Sequence, residues 1–320
     1  MFKRATPLPQ SAVFSDLPIR TVVCGAANTS IAVHIHGEIR DDVVPVVCLP
    51  GYVRNMSDFA SLPRAVNRQP DTDFAFILID LPGRGRSSRY PKNASYSTLG
   101  DADCVLAVMA ALDVPRAVLA GEGHGGQVAM VMAGRQPLAV AGTILIDAGP
   151  VTDPRGLVRT RNNFRHLTSI KSPQVARAAL RKIIGTDYPG ETEARLDGFS
   201  ERFYTQDARG RPLALFDGRL VEQLEQFEFD DVLEPQWQLF DTLSHAPLMI
   251  LRSQLTDQVR RATFDEMVRR RPDAATLVIS DQGSPALFED TVEHQAIAGF
   301  LRDICRQPEE NLPTEHADFA

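Results

Sequence analysis

The sequence predicts an α/β protein: a mostly parallel, doubly wound sheet interrupted by a helical insertion. Three observations carry that expectation. Short, nearly unbroken apolar runs recur along the chain, with helix-like stretches between them. A glycine-rich turn joins one such run to a helical pattern in the segment VLAGEGHGGQVAMVMAG. Residues 151–240 contain no such run and are polar and helix-biased.

The runs fall at residues 43–49 (VVPVVCL), 74–80 (FAFILID), 117–121 (AVLAG), 143–147 (TILID), 248–251 (LMIL) and 276–280 (TLVIS). Strands buried on both faces of a parallel sheet read this way, because water meets neither set of alternating side chains. Helix-like patterns at 101–112 and 127–135 separate them, as a doubly wound sheet requires. Upstream, residues 19–24 and 30–36 read as a leading antiparallel pair. Between 151 and 240 the stretches RTRNNFRHL and QVARAALRKI and the Phe/Glu segment at 222–229 indicate helices. The expected organisation is a first part of the core at 1–150, a helical cap at 151–240 and a second part of the core at 241–305. A polar, proline-bearing tail at 306–320 is expected to be disordered.

Composition narrows the function classes. In 320 residues, 43% hydrophobic and 23% charged composition supports a sizeable core. A net charge of −7 argues against binding a phosphate backbone, which needs a basic face. Cys24, Cys48, Cys104 and Cys305 are widely spaced with no C-x-x-C pair, the usage of reduced thiols. The opening MFKRATPLPQ is not followed by a signal-like apolar stretch, and no run approaches the roughly 20 apolar residues that span a bilayer. The expectation is a cytoplasmic protein with neither nucleic acid nor membrane as partner. No His, Cys or carboxylate cluster has metal-ligand spacing, so neither metal nor cofactor is expected.

The glycine-rich turn admits two readings. Gly121, Gly123 and Gly126 satisfy G-x-G-x-x-G between strand and helix, with Asp147 ending the next strand about 20 residues later, as a dinucleotide site would. Against this, Glu122 would set a carboxylate beside the pyrophosphate. The motif also follows several strands instead of opening the domain. The second reading is a nucleophile elbow, G-x-Nu-x-G, in which Gly121 and Gly125 flank the turn and Gly123 occupies the nucleophile position. The surrounding motifs then fall in order: Leu49-Pro50-Gly51-Tyr52 after a strand, then the turn Asp80-Leu81-Pro82-Gly83-Arg84-Gly85-Arg86-Ser87, then the elbow.

At these residues the chain resembles the bacterial α/β-hydrolases that carry CLPG and D-x-x-G-R-G-R-S segments. The matching stretches are 48–51, Arg54-Asn55, Ser57-Asp58-Phe59 and 80–87. Downstream they are 146–150, 237–240 and 251–257, and the likeness runs from about Ile19 to Leu301. The resemblance implies an α/β-hydrolase fold with a helical cap. It also implies a nucleophile, an acid and a histidine in chain order, with two backbone N–H groups stabilising an oxyanion. Carried over residue by residue, it places the acid at Asp257 and the oxyanion donors at the N–H groups of Tyr52 and His124. The nucleophile position is Gly123 and the histidine position, in Asp281-Gln282-Gly283-Ser284-Pro285, is Ser284. Neither side chain can perform the family chemistry.

Other groups near these positions read as structural. His124 is a helix-first-turn residue, Glu122 supports the helix N-terminus, His294 is a surface or packing residue, and Ser87 and Ser88 serve backbone hydrogen bonds. Asp147 is an alternative acid, with a structural strand-end role as the competing reading. The leading expectation is a pseudoenzyme that binds a small apolar or ester-like ligand or a protein partner. Behind it stand a weak or atypical hydrolase built on Asp257, Glu122 or His124, and, third, an NAD(P)-dependent oxidoreductase.

Overall fold

The computed structural model describes residues 12–24, 28–207 and 209–305. The expected tail at 306–320 and the side chain of Cys305 lie outside them; Cys24, Cys48 and Cys104 are free and buried.

Eight strands form one sheet: β1 (Arg20–Cys24), β2 (Thr29–His36), β3 (Val46–Leu49), β4 (Phe76–Ile79), β5 (Ala117–Glu122), β6 (Val140–Ile146), β9 (Leu248–Ser253) and β10 (Ala275–Ile279). Their order is β1-β2-β4-β3-β5-β6-β9-β10. The pairs β1–β2 and β2–β4 are antiparallel, and β4 through β10 run parallel. Each apolar run of the sequence supplies one of the parallel strands, and residues 19–24 and 30–36 supply the antiparallel pair.

Successive side chains of a strand point to opposite faces, and the two faces carry separate cores. Val47, Leu49, Ile77, Ile79 and Leu119 pack with α2 (Thr98–Ala111), α3 (His124–Arg135) and α9 (Arg261–Arg270) through Val105, Val128, Met132 and Met267. Their neighbours Val46, Cys48, Phe76, Leu78 and Val118 pack with α1 (Leu62–Val66) and α10 (Thr291–Cys305) through Leu62, Val66, Ile297 and Leu301. That two-sided burial is why these runs do not alternate.

Between β6 and β9 the chain makes α4 (Pro154–Phe164), α5 (Pro173–Ile184), α6 (Glu193–Ser200), a hairpin of β7 (Tyr204–Gln206) and β8 (Pro212–Ala214), α7 (Gly218–Glu222) and α8 (Trp237–Asp241). Asp153 and Ser172, each followed by proline, start α4 and α5 by accepting the N–H groups of Arg155 at 3.1 Å and Val175 at 3.4 Å. The hairpin departs from the all-helical expectation. Its strands are three residues long and half exposed, too short to leave an apolar run. The insertion has its own core, in which Phe164, Leu180, Phe199 and Phe216 meet Val53, Tyr96 and Leu287 from loops of the main domain.

Register places the site. Leu49 pairs with Gly121, Glu122 with Ile146, and Ile146 with Leu251, so the carboxyl ends of β3, β5, β6 and β9 lie in one row. The loops leaving that row carry Gly51, Tyr52, Gly123, Asp147 and Asp257, where parallel sheets bind ligands.

Candidate functional site at the strand ends

The turn from β5 to α3 is the sharpest feature of the row. Gly123 has φ 50° and ψ −110°, a conformation costly for residues with a Cβ. Its N–H donates to Ile146 O at 2.9 Å, and its carbonyl accepts from Gly126 N at 3.1 Å. A Cβ at Gly125 would collide with the Leu49 carbonyl, so glycine there lets α3 start against the end of β3. At Gly123 a Cβ would meet nothing nearer than Gly51 Cα at 4.0 Å. The turn therefore has room for a side chain at Gly123 and carries none.

Tyr52 and His124, assigned as the backbone donors, both line the cavities that meet at Gly123. The N–H of His124 opens α3 and has no acceptor within its own helix; that of Tyr52 follows Gly51 in the loop after β3. Arg84 Nε fixes this loop by donating to Tyr52 O at 2.7 Å. Arg84 is fully buried, and its Nη1 lies 3.1 Å from Asp101 Oδ2, which also takes His124 Nε2 at 2.8 Å. Burial lowers the His124 pKa, the Asp101 hydrogen bond opposing it. The His124 side chain thus ties α3 to α2 and stands edge-on to Tyr52, with ring centroids 5.3 Å apart.

The 80–87 turn is a structural lock. Asp80 Oδ1 accepts Met56 N at 2.9 Å and Oδ2 accepts Arg86 N at 2.7 Å; burial lifts its carboxyl to about 6. Ser87 Oγ accepts Ala32 N and Ser88 Oγ accepts Ser30 N, both at 2.8 Å. His294 reaches Phe288 O at 2.7 Å.

The last loop brings Ser284 to a carboxylate, but not the expected one. Ser284 Oγ donates to Asp147 Oδ2 at 2.6 Å and lies 2.8 Å from Thr256 Oγ1. Asp147 leaves β6 with φ 47°, is buried, and accepts Ser253 N on Oδ1 at 2.7 Å. Burial raises its pKa against these hydrogen bonds. Asp257, assigned to the acid position from the sequence, instead turns toward the insertion. Its carboxylate pairs with the fork of Arg159 on α4 and accepts Gln258 Nε2 at 3.0 Å. Arg159 from α4 supplies the charge that Asp257 meets, and Asp147 is the carboxylate that meets Ser284 at the strand end. Arg159 also reaches Asp187 Oδ1 at 3.0 Å.

Glu122 does not support the helix N-terminus as expected. Its Oε2 lies against Gly51, and the residue lines a cavity of about 90 Å³ with Gly51, Gly123, Arg159, Tyr188 and Ser284, beside Phe164, Phe199 and Phe203. The residue is 4% exposed, and its Oε2 is buried with no hydrogen-bond partner. Burial pushes this carboxyl up to about 8, Asp58 and Asp147 adding to the effect, Arg54 and the Gly51 N–H opposing it. A second cavity, about 340 Å³, opens on the other side of Gly123, between His124, Asp101, Gln127, Asp147, Leu224 and Phe227. Sequence reasoning missed Arg159 and the outlook of Glu122. The signal was an acidic residue inside an otherwise apolar strand end.

Among the described residues no group of three His, Cys, Asp or Glu side chains is placed to hold a metal ion. No described helix is long and apolar enough to cross a membrane.

A parallel sheet wound on both faces, with a tight glycine turn at the end of its central strand, defines an α/β-hydrolase architecture. The chain belongs to the α/β hydrolase fold family, which it matches across residues 44–290. A serine hydrolase-like protein of Danio rerio is 33% identical over 117 residues, covering 35% of this chain and 35% of that protein. A probable serine hydrolase of Drosophila melanogaster is 31% identical over 108 residues, covering 33% and 31%. The chain thus spans about a third of the length of these two relatives. A 3-hydroxybutyrate-oligomer hydrolase of Cupriavidus necator is 22% identical over 78% of this chain and 85% of that protein. Among solved structures, an α/β hydrolase from Novosphingobium aromaticivorans superposes with a TM-score of 0.78 at 23% identity, covering 90% of this chain and 98% of the other. E-2-(acetamidomethylene)succinate hydrolase gives 0.72 at 19% identity, covering 89% and 99%. These two likenesses concern the fold.

Proposed function

We propose that this chain is a family member without conventional serine-hydrolase activity, one that holds a small ligand in the cavity between Gly123 and the inserted helices. The observation that carries the reading is the content of the elbow. Gly123 takes up the strained turn but offers no hydroxyl. Ser284 has no basic nitrogen, and its own hydroxyl is bonded to Asp147. Attack on a carbonyl needs a nucleophile and a base acting together. What supports binding is a cavity with an apolar wall and polar side chains among its lining residues.

A fluorophosphonate probe tests this, because it marks an activated hydroxyl. The folded protein is expected to remain unlabelled under conditions that label an active serine esterase to completion. Stoichiometric labelling mapped to one serine would overturn the reading.

A second reading, an atypical hydrolase, draws on the names of the relatives and on the carboxyl of Glu122 beside the elbow. It requires ester turnover that disappears in Glu122→Gln.

A further inference from the structure

The eight-stranded sheet ends at β10, and among the described strands β10 pairs with β9 alone. Successive residues of a strand turn their backbone groups to opposite sides. Ile279 O accepts Gln254 N at 2.7 Å on the β9 side, so Thr276 and Val278 direct their N–H and C=O groups to the open edge. Open edges are ordinarily guarded by lysine or proline. The strand reads ATLVI and has neither, and Val278 is 42% exposed.

A groove of about 760 Å³ lies beside this edge, lined by Leu277, Val278 and Ile279 of β10 and by Leu287 and Val292. Its charged lining is entirely acidic: Glu191, Asp281, Glu289, Asp290 and Glu293. Arg195 pairs with Glu191 and Glu289. Asp281, Asp290 and Glu293 meet no Lys or Arg among the described residues. Glu293 is 5% exposed, and its Oε2 has no hydrogen-bond partner.

Charge selects among the strands that can add to this edge. A second copy of the chain, itself of net charge −7, brings a second set of the same carboxylates to the edge, and like charges across an interface are costly. A cationic strand meets complementary charge instead. We propose that the β10 edge docks an extended cationic segment of a partner protein, which adds a strand to the sheet and sets Lys or Arg at alternate positions against Asp281, Asp290 and Glu293. Hydrogen bonds to the backbone of Thr276 and Val278 hold such a strand, and the carboxylates choose it.

The test is a backbone-amide NMR titration of the full chain with acetyl-KTKVKTK-amide, in which lysines alternate with strand-forming residues. Acetyl-ETEVETE-amide reverses the charge, and acetyl-KPKPKPK-amide keeps the charge but cannot extend a ladder. The first peptide is expected to bind saturably, shifting residues 276–280 and 289–293, and at least about tenfold more tightly than either control. Val278→Pro removes an outward N–H without touching the β9 ladder, a place where sheets tolerate proline, and should weaken binding about tenfold. Asp281→Asn combined with Asp290→Asn leaves that backbone intact, and asparagine still caps α10 through the bond Asp290 makes to Val292 N. This double variant should also weaken binding about tenfold, which keeps the test open if Val278→Pro fails to fold. No binding to wild type, equal binding of all three peptides, or unchanged binding in the double Asn variant would each overturn the proposal. So would a dimer of the free chain that Val278→Pro dissociates, since the edge would then belong to a second copy.

Discussion

On the proposed reading, the side chains at Gly123 and Ser284 decide the chemistry, and the backbone decides whether it can be restored. The space at Gly123 admits a Cβ without contact inside 4.0 Å, so Gly123→Ser costs only the backbone strain, about 1–3 kcal/mol. Ser284 already bonds Asp147, so an imidazole at 284 would be oriented by Asp147 and not by Asp257. Combining Gly123→Ser with Ser284→His is therefore expected to produce esterase activity on p-nitrophenyl acetate roughly 10²-fold above either single variant, since nucleophile and base act as a unit. Adding Asp147→Asn should abolish that gain, and adding Asp257→Asn should change it by a few-fold at most. If the two acids behave the other way round, the site is arranged through Asp257 and the assignment made here is wrong. The tight turn at Gly123 and the last loop at Ser284 were legible because glycine spacing and loop order survive translation into residues. That Ser284 meets Asp147 was not. Two carboxylates leave adjacent strand ends, and which one meets the last loop depends on Arg159, a residue from the insertion nearly a hundred positions away from Asp257.

The strand-turn-helix unit of β5 and α3 distinguishes two kinds of glycine. Gly125 is needed for close approach, because a Cβ there overlaps the Leu49 carbonyl, an atom fixed in the sheet. Gly123 is needed only for its backbone angles. Gly125→Ala should therefore destabilise by more than about 3 kcal/mol or prevent folding, whereas Gly123→Ala should stay within about 1–3 kcal/mol. Urea denaturation of the two variants makes the comparison; equal losses would remove the basis for treating Gly123 as a position with room for a side chain. Elements of this kind were readable in advance for a physical reason. The runs at 74–80 and 143–147 are buried on both sides and must be apolar throughout, and a tight turn at the end of a strand must be built of small residues. The hairpin of β7 and β8 left no such trace, since three half-exposed residues per strand impose no pattern. The direction of Glu122 was also hidden, because the final residue of a strand looks the same in sequence whether it meets solvent, a helix or a cavity.

Across the whole molecule, polar contacts hold the insertion to the core at several places, among them Tyr96 to Asp217, Arg219 to Tyr90 O and Arg195 to Glu289, and one group of them lies at the cavity. Arg159 on α4 spans Asp187, after α5, and Asp257, after β9. The chain at 187–188 in turn grips the last loop: Gly283 N donates to Asp187 O at 2.6 Å, and the Tyr188 hydroxyl donates to Pro285 O. Losing the guanidinium leaves two carboxylates facing each other, one of them on a residue only 8% exposed, with no cation between them. Arg159 itself is about a third exposed, so solvent screens part of the loss and global stability should fall by only about 1 kcal/mol. The larger consequence is local, because α4 and α5 meet the last loop through this group and segments can open without global unfolding. In Arg159→Ala, hydrogen exchange should quicken in α4, in α5 and in residues 283–285, while amides of β3, β5 and β6 keep their protection. Arg159→Lys should recover part of this, since a single ammonium can reach one carboxylate but cannot fork between two. Uniform acceleration across sheet and insertion together would mean that Arg159 supports the fold as a whole. An unchanged exchange pattern would mean that the aromatic core around Phe164 and Phe199 and the other polar contacts keep the insertion seated without Arg159.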